Sequence, residues 1–161
     1  MVDEIAEAVG VSAVRFNIIK VSPEKGFTFR WEDALAFEAG SAPFVMYSHT
    51  RACSINSKVM EIGFDESSVV IPEEMPDSMR ILLRKLNGYQ DALGYAVNNR
   101  QAHIFANYLL ELANAYNGFY RDCHVIMNGE VQPFTFAVSE SARKIMRASM
   151  EGLGIIPIER M

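Results

Sequence analysis

Between Gln101 and Tyr116, four large apolar residues, Phe105, Leu109, Leu112 and Tyr116, fall at i, i+4, i+7 and i+11. That spacing puts all four on one stripe of an α-helix, whereas a strand would split them between its two faces. A stripe of this length has to be covered, and the rest of the sequence supplies helices to cover it. Val11–Lys20 follows the same period with Ser12 as N-cap, and Trp31–Glu38 predicts a short helix stopped by Gly40. Ser41 caps a longer helix that carries Pro43 in its first turn, where the missing N–H costs little, and runs to about Met60. Met79–Leu86, Gln90–Asn98 and Ser139–Met150 complete the set. Val21–Phe29 reads as a turn with a short extended piece around Gly26. Glu61–Asp77, with two prolines and six acids, reads as a loop that leaves room for a short strand at Val69–Ile71. The expected fold class is all-α, a helical bundle without internal repeats.

At 161 residues, half of them hydrophobic, the chain is long enough for one domain with a sizeable core and too apolar for disorder. No apolar run approaches the ~20 residues of a membrane helix, and Met1–Gly10 is too acidic for a secretion signal. A cytoplasmic chain that makes no use of a membrane is expected. Cys53 and Cys123 lack C-x-x-C spacing and fit buried thiols of a reducing compartment.

The formal net charge is −5, but the charges are segregated. Acids crowd Asp3–Glu38 and Glu61–Asp77. Ala39–Met60 contains no acid but carries Arg51 and Lys58. Ser78–Gln90 carries Arg80, Arg84 and Lys85, and Ser141–Met150 carries Arg143, Lys144 and Arg147, again without acids. Such blocks can build a locally positive face on an acidic protein; a solvated helix surface has the same pattern.

The chemistry legible in the residues is that of binding. His49 and Cys53 are four apart on one predicted helix and Cys123 adjoins His124, yet neither pair has a third orienting group or a glycine-rich oxyanion loop. Three histidines without paired spacing make a poor zinc set, and no glycine-rich phosphate loop occurs. No catalytic residue and no metal ligand is expected. Phe44, Tyr47, Tyr116, Phe119 and Tyr120 lie near predicted helix ends or turns. Rings so placed either fill a core or stay partly exposed, where single-stranded bases stack on them and arginines hold the phosphates.

Several short stretches, in one order along the chain, carry a family resemblance. Phe37–Arg51, FEAGSAPFVMYSHTR, resembles a stretch running F-E-G-x-x-G-P-Y-x-Q-Y-x-H-x-R, and Pro157–Met161 resembles a closing P-x-E-R-M. Asn117-Gly118-Phe119-Tyr120 resembles N-x-F-Y, and Asp33-Ala34-Leu35 opens the first motif. These are motifs of the anticodon-binding domain that closes class I arginyl-tRNA synthetases, the DALR domain. Val9–Phe16 is similar to the segment that leads from the catalytic domain of that family into the bundle.

The resemblance implies two units, 1–30 as the end of the catalytic-domain connection and 31–161 as the anticodon-binding domain. It implies recognition of the anticodon arm of tRNA(Arg), not DNA, with the catalytic domain of an arginyl-tRNA synthetase as the other partner. ATP and Mg would serve that catalytic domain, with no cofactor in this chain. Residue by residue, the tyrosine of Q-Y-x-H, the tyrosine of N-x-F-Y and the terminal methionine fall on Tyr47, Tyr120 and Met161, which are expected to line the pocket for the central cytosine. Phe44, His49 and Arg51 are further candidates, with Arg51 expected to meet phosphate or to brace the loop through Glu38. Met161 ends the chain with no polar residue after it, so the terminus is expected to dock. Ala39, Ala42, Phe44 and Met46 depart from the family pattern. They predict a loop less free to adopt positive φ and the loss of a hydroxyl and an amide contact. A stand-alone adaptor that presents arginine tRNA to another enzyme, and a helical module for protein contacts, are the alternatives.

Overall fold

The computed structural model describes residues 2–37, 40–64 and 69–161. Its central element is the helix of the apolar stripe, α6 (Ala102–Asp122), which packs against helices from both ends of the chain. In chain order the others are α1 (Val2–Ile19), α2 (Trp31–Ala34), α3 (Ala42–Ile62), α4 (Asp77–Asn87) and α5 (Tyr89–Asn99). After α6 come a hairpin of β1 (Ile126–Met127) and β2 (Glu130–Val131), then α7 (Pro133–Gly152). Phe105, Leu109, Leu112 and Tyr116 are all buried. Phe16 of α1, Val45 and Met46 of α3, Leu82 of α4 and Met146 and Met150 of α7 close around them in one core. The all-α bundle is therefore the observed class. No helix among the described residues is long and apolar enough to cross a membrane.

Several ends differ from expectation. Helix α1 begins at Val2, with Asp3 and Glu4 in its first turn where the helix dipole favours acids. Ser12 is accordingly no cap but a buried mid-helix residue whose Oγ accepts from the Ile156 N–H at 3.0 Å. Ser41 does cap α3, accepting from Phe44 N–H at 3.2 Å. Helix α2 stops at Ala34, four residues before the expected end at Glu38, which lies outside the described residues. Val69–Ile71 is exposed and not a strand. The two short strands lie instead around Asn128-Gly129, whose φ values of 52° and 82° are the pair that a type I′ hairpin turn requires.

Two corrections bear on the site. Helix α7 starts six residues earlier than Ser139, because Phe134, Phe136 and Val138 alternate like a strand but follow Pro133 in the first turn of a helix. Helix α6 continues through Asn117-Gly118 to Asp122, since Phe119 is fully buried and holds the last turns against the core. The Asn117–Tyr120 element is thus one turn of helix, with Asn117 and Tyr120 on one face and Phe119 turned into the core.

Candidate functional site

Three residues expected to contact a ligand come together on the surface where α3 meets α6. The Arg51 guanidinium carbon lies 4.4 Å from the centroid of the Tyr47 ring and 5.0 Å from that of Tyr120. Tyr47 and Arg51 are one turn apart on α3 and so share a face. Tyr120 reaches them from the last turns of α6. The two tyrosines are 41% and 40% exposed, which leaves surface for a ligand while the rest of each packs on protein. Phe37 meets Tyr47 edge-on at 6.3 Å, and Tyr116 tilts against Tyr120 at 6.4 Å.

Asn117 fixes this cluster. Its Oδ1 accepts from Arg51 Nη1 at 3.0 Å, and its Nδ2 donates to Ser48 Oγ at 2.9 Å. Ser48 in turn donates to the Phe44 carbonyl at 2.8 Å. Arg51 Nη2 also donates to the Tyr47 hydroxyl at 3.4 Å. Both ends of the asparagine amide are used, so its orientation is determined and the guanidinium is held over the rings. The remaining guanidinium donors make no further bond among the described residues and could serve an anion. Neither Asn117 nor Phe37 stood out as a site residue in the sequence. The signal for Asn117 was its place one turn from Tyr120 in N-x-F-Y, beyond the expected end of the helix at Tyr116.

Other expected site residues are placed elsewhere. His49 is fully buried and cannot touch a ligand in this arrangement. Its Nδ1 lies 2.9 Å from the Ile158 carbonyl, which only accepts, so Nδ1 carries the proton. That leaves Nε2, 3.6 Å from Cys53 Sγ, to accept from the thiol. Burial, as the largest cause, lowers the His49 pKa, and the bond to Ile158 only partly offsets it. His49 is therefore a neutral strut that pins the C-terminal segment to α3. Phe44 is half-buried and packs against the core. Met46, where a lost amide contact was expected, is fully buried. An amide there would point into the core. Of the loop departures, Ala39 lies outside the described residues, Ala42 is helical, and Gly40 takes positive φ, 118°. The brace of Arg51 through Glu38 also lies outside them.

The C-terminal segment crosses three helices and is tied mainly by its backbone. Arg15 Nη1 donates to the Gly154 carbonyl at 2.7 Å, the Ile156 N–H donates to Ser12, and the Ile158 carbonyl accepts from His49. Ile155 is buried beneath it. Arg147 Nη1 adds a bond of 3.2 Å to Glu159. Met161, 45% exposed, stands three residues beyond the His49 anchor.

A family model described as the DALR anticodon binding domain matches residues 45–161. An arginine–tRNA ligase of Methanocella arvoryzae is 42% identical over 98% of this chain, and one of Archaeoglobus fulgidus is 40% identical over 98%. The chain spans 27% and 29% of those two proteins. Among solved structures, the arginyl-tRNA synthetase of Thermus thermophilus superposes with a TM-score of 0.80 at 28% identity, over 98% of this chain and 27% of that one. That of Plasmodium falciparum superposes at 0.83 over 99% of this chain and 28% of its own, and at 20% identity it speaks for the fold alone.

Proposed function

This chain belongs to the DALR anticodon-binding domain family, and on that premise we propose that it grips the anticodon arm of arginine tRNA as part of an arginine–tRNA ligase. The observation that carries this is the exposed stack of Tyr47, Arg51 and Tyr120. Splayed anticodon bases present π-faces and polar edges, and half-exposed tyrosines anchored in a rigid helix pair are platforms for them. Arg51, with guanidinium donors to spare, supplies positive charge next to the phosphates of the same loop. In the longer ligase, ATP and Mg²⁺ would drive the joining of arginine to tRNA in the part that lies outside the aligned segment. This bundle would hold the far end of the tRNA and contribute position, not chemistry.

The test is a comparison of two RNA stem-loops binding to the chain, one with an arginine anticodon and one with its central cytosine replaced. A wrong base in a specific site costs about 1–3 kcal/mol, so the replaced loop should bind about tenfold more weakly or worse. Equal affinities would reduce the interaction to nonspecific phosphate binding and sink the proposal.

Met161 is proposed to close the pocket from the C-terminal segment. Because that segment is anchored largely through backbone groups of Gly154, Ile156 and Ile158, Met161→Ala should leave the melting temperature in place. Stem-loop binding should weaken by about 1 kcal/mol, the worth of a partly buried methionine side chain. A variant that binds as tightly as the parent would remove Met161 from the site.

A further inference from the structure

Tyr47 and Arg51 begin a stripe on α3 that continues with Ser54 and Lys58, at i, i+4, i+7 and i+11. Lys58 lies about 16 Å along the helix from Tyr47. There the stripe runs into a groove of about 630 Å³ between α3, α7 and the C-terminal segment, a volume typical of ligand clefts. Its charged lining is Lys58 and Glu61 from α3, Arg143 and Arg147 from α7, and Glu159 and Arg160 from the segment.

The four cations are not equivalent. Arg143 is committed to Glu140, donating from Nε and Nη2 at 2.7 Å each, and Asn56 Nδ2 donates to the same carboxylate at 3.0 Å. This cluster ties α3 to α7. Burial alone would raise the Glu140 pKa, but the bonds and charge of Arg143 and Lys144 outweigh it and lower it, so the carboxylate is ionised and Arg143 stays neutralised. Arg147 is shared between Glu151 and Glu159. Lys58 and Arg160 are exposed, and neither side chain makes a hydrogen bond or ion pair among the described residues. A groove whose inner arginines are internally paired and whose rim carries two uncommitted cations from different elements is suited to an external anion. Its place on the Tyr47–Arg51 stripe indicates which anion.

We propose that this groove is a second nucleic-acid subsite, in which Lys58 and Arg160 take backbone phosphates of the same RNA whose bases meet Tyr47 and Tyr120. The inference rests on the RNA-binding function proposed above. It adds a sequence-independent contact about three helical turns from the base-reading one. Glu61 at the groove's edge works against it and limits its strength.

The test is a salt titration of arginine anticodon stem-loop binding to the chain and to the double variant Lys58→Gln/Arg160→Gln. Each phosphate contact contributes about 0.7–0.9 to the slope of log affinity against log salt, so losing two should flatten the slope by about 1.5. Discrimination at the central base should be unchanged, because phosphates carry no base identity. Arg80→Gln/Arg84→Gln, two exposed charges on α4 outside the groove, should leave the slope as it was. Glu61→Gln should tighten binding. An unchanged slope in the first variant, or an equal change in the α4 variant, overturns the groove while leaving the base-reading site standing. Failure of the unaltered chain to bind any stem-loop overturns both.

Discussion

Tyr47→Ala and Tyr120→Ala are each expected to weaken stem-loop binding by about 1–3 kcal/mol, the range for loss of one base–aromatic stack. Melting should change less than binding for either, because about two-fifths of each residue is exposed. The two effects should not add. Both rings pack on one guanidinium, so removing the first loosens Arg51 and part of what the second contributes; residues that share a partner couple in this way. A double-variant cycle measured by binding and by melting on the same samples decides the matter. Affinity lost in proportion to stability would make the tyrosines ordinary packing residues.

The largest stability loss should come from the neighbour of Tyr120. Phe119 is fully buried, and it holds the final turns of α6 that carry Asn117 and Tyr120. Phe119→Ala removes a large ring from a core that relaxes only partly around the cavity, at about 3–5 kcal/mol. Urea unfolding should show an unfolding free energy lower by that amount, read as a lower midpoint at unchanged slope. Binding, measured where the variant is still folded, should fall as well, since the Asn117–Arg51 bond depends on the same helical turns. A loss below about 1 kcal/mol would mean that the last turns of α6 are not held by the core. Adjacent residues, one changing mainly stability and the other mainly binding, separate scaffold from site within a single turn.

How much of this was legible beforehand can be followed along α6. Its apolar stripe needed no tertiary information, because the four residues are spaced for a helix and large enough to force burial. Its end was not legible, because Asn117-Gly118 is a local stop signal that the burial of Phe119 overrides. The start of α7 shows the same competition: the helix was legible from Ser139, but Phe134, Phe136 and Val138 alternate like a strand, and proline at the helix start and burial of Phe136 and Ser139 carry the helix back to Pro133. The hairpin at Asn128-Gly129 carried a strong turn signal, but its strands of two residues each are too short to show a period.

For the site, the sequence by itself determined which residue types were present and in what order: two tyrosines and an arginine in motifs of a known family, segregated basic stretches, and helices around one long apolar stripe, one of them capped by Ser41. Only the tertiary structure decided which of them act together. Tyr47 and Tyr120 are 73 positions apart in the chain, and no periodicity links them; packing of α3 on α6 sets their distance from Arg51. Exposure was also decided there. His49 and Tyr47 are two residues apart on one helix, about 200° around its axis, so the fold that leaves one ring open to solvent seals the other beneath the C-terminal segment. Spacing along a helix fixes which residues share a face, but the neighbours that pack against it choose which face remains free.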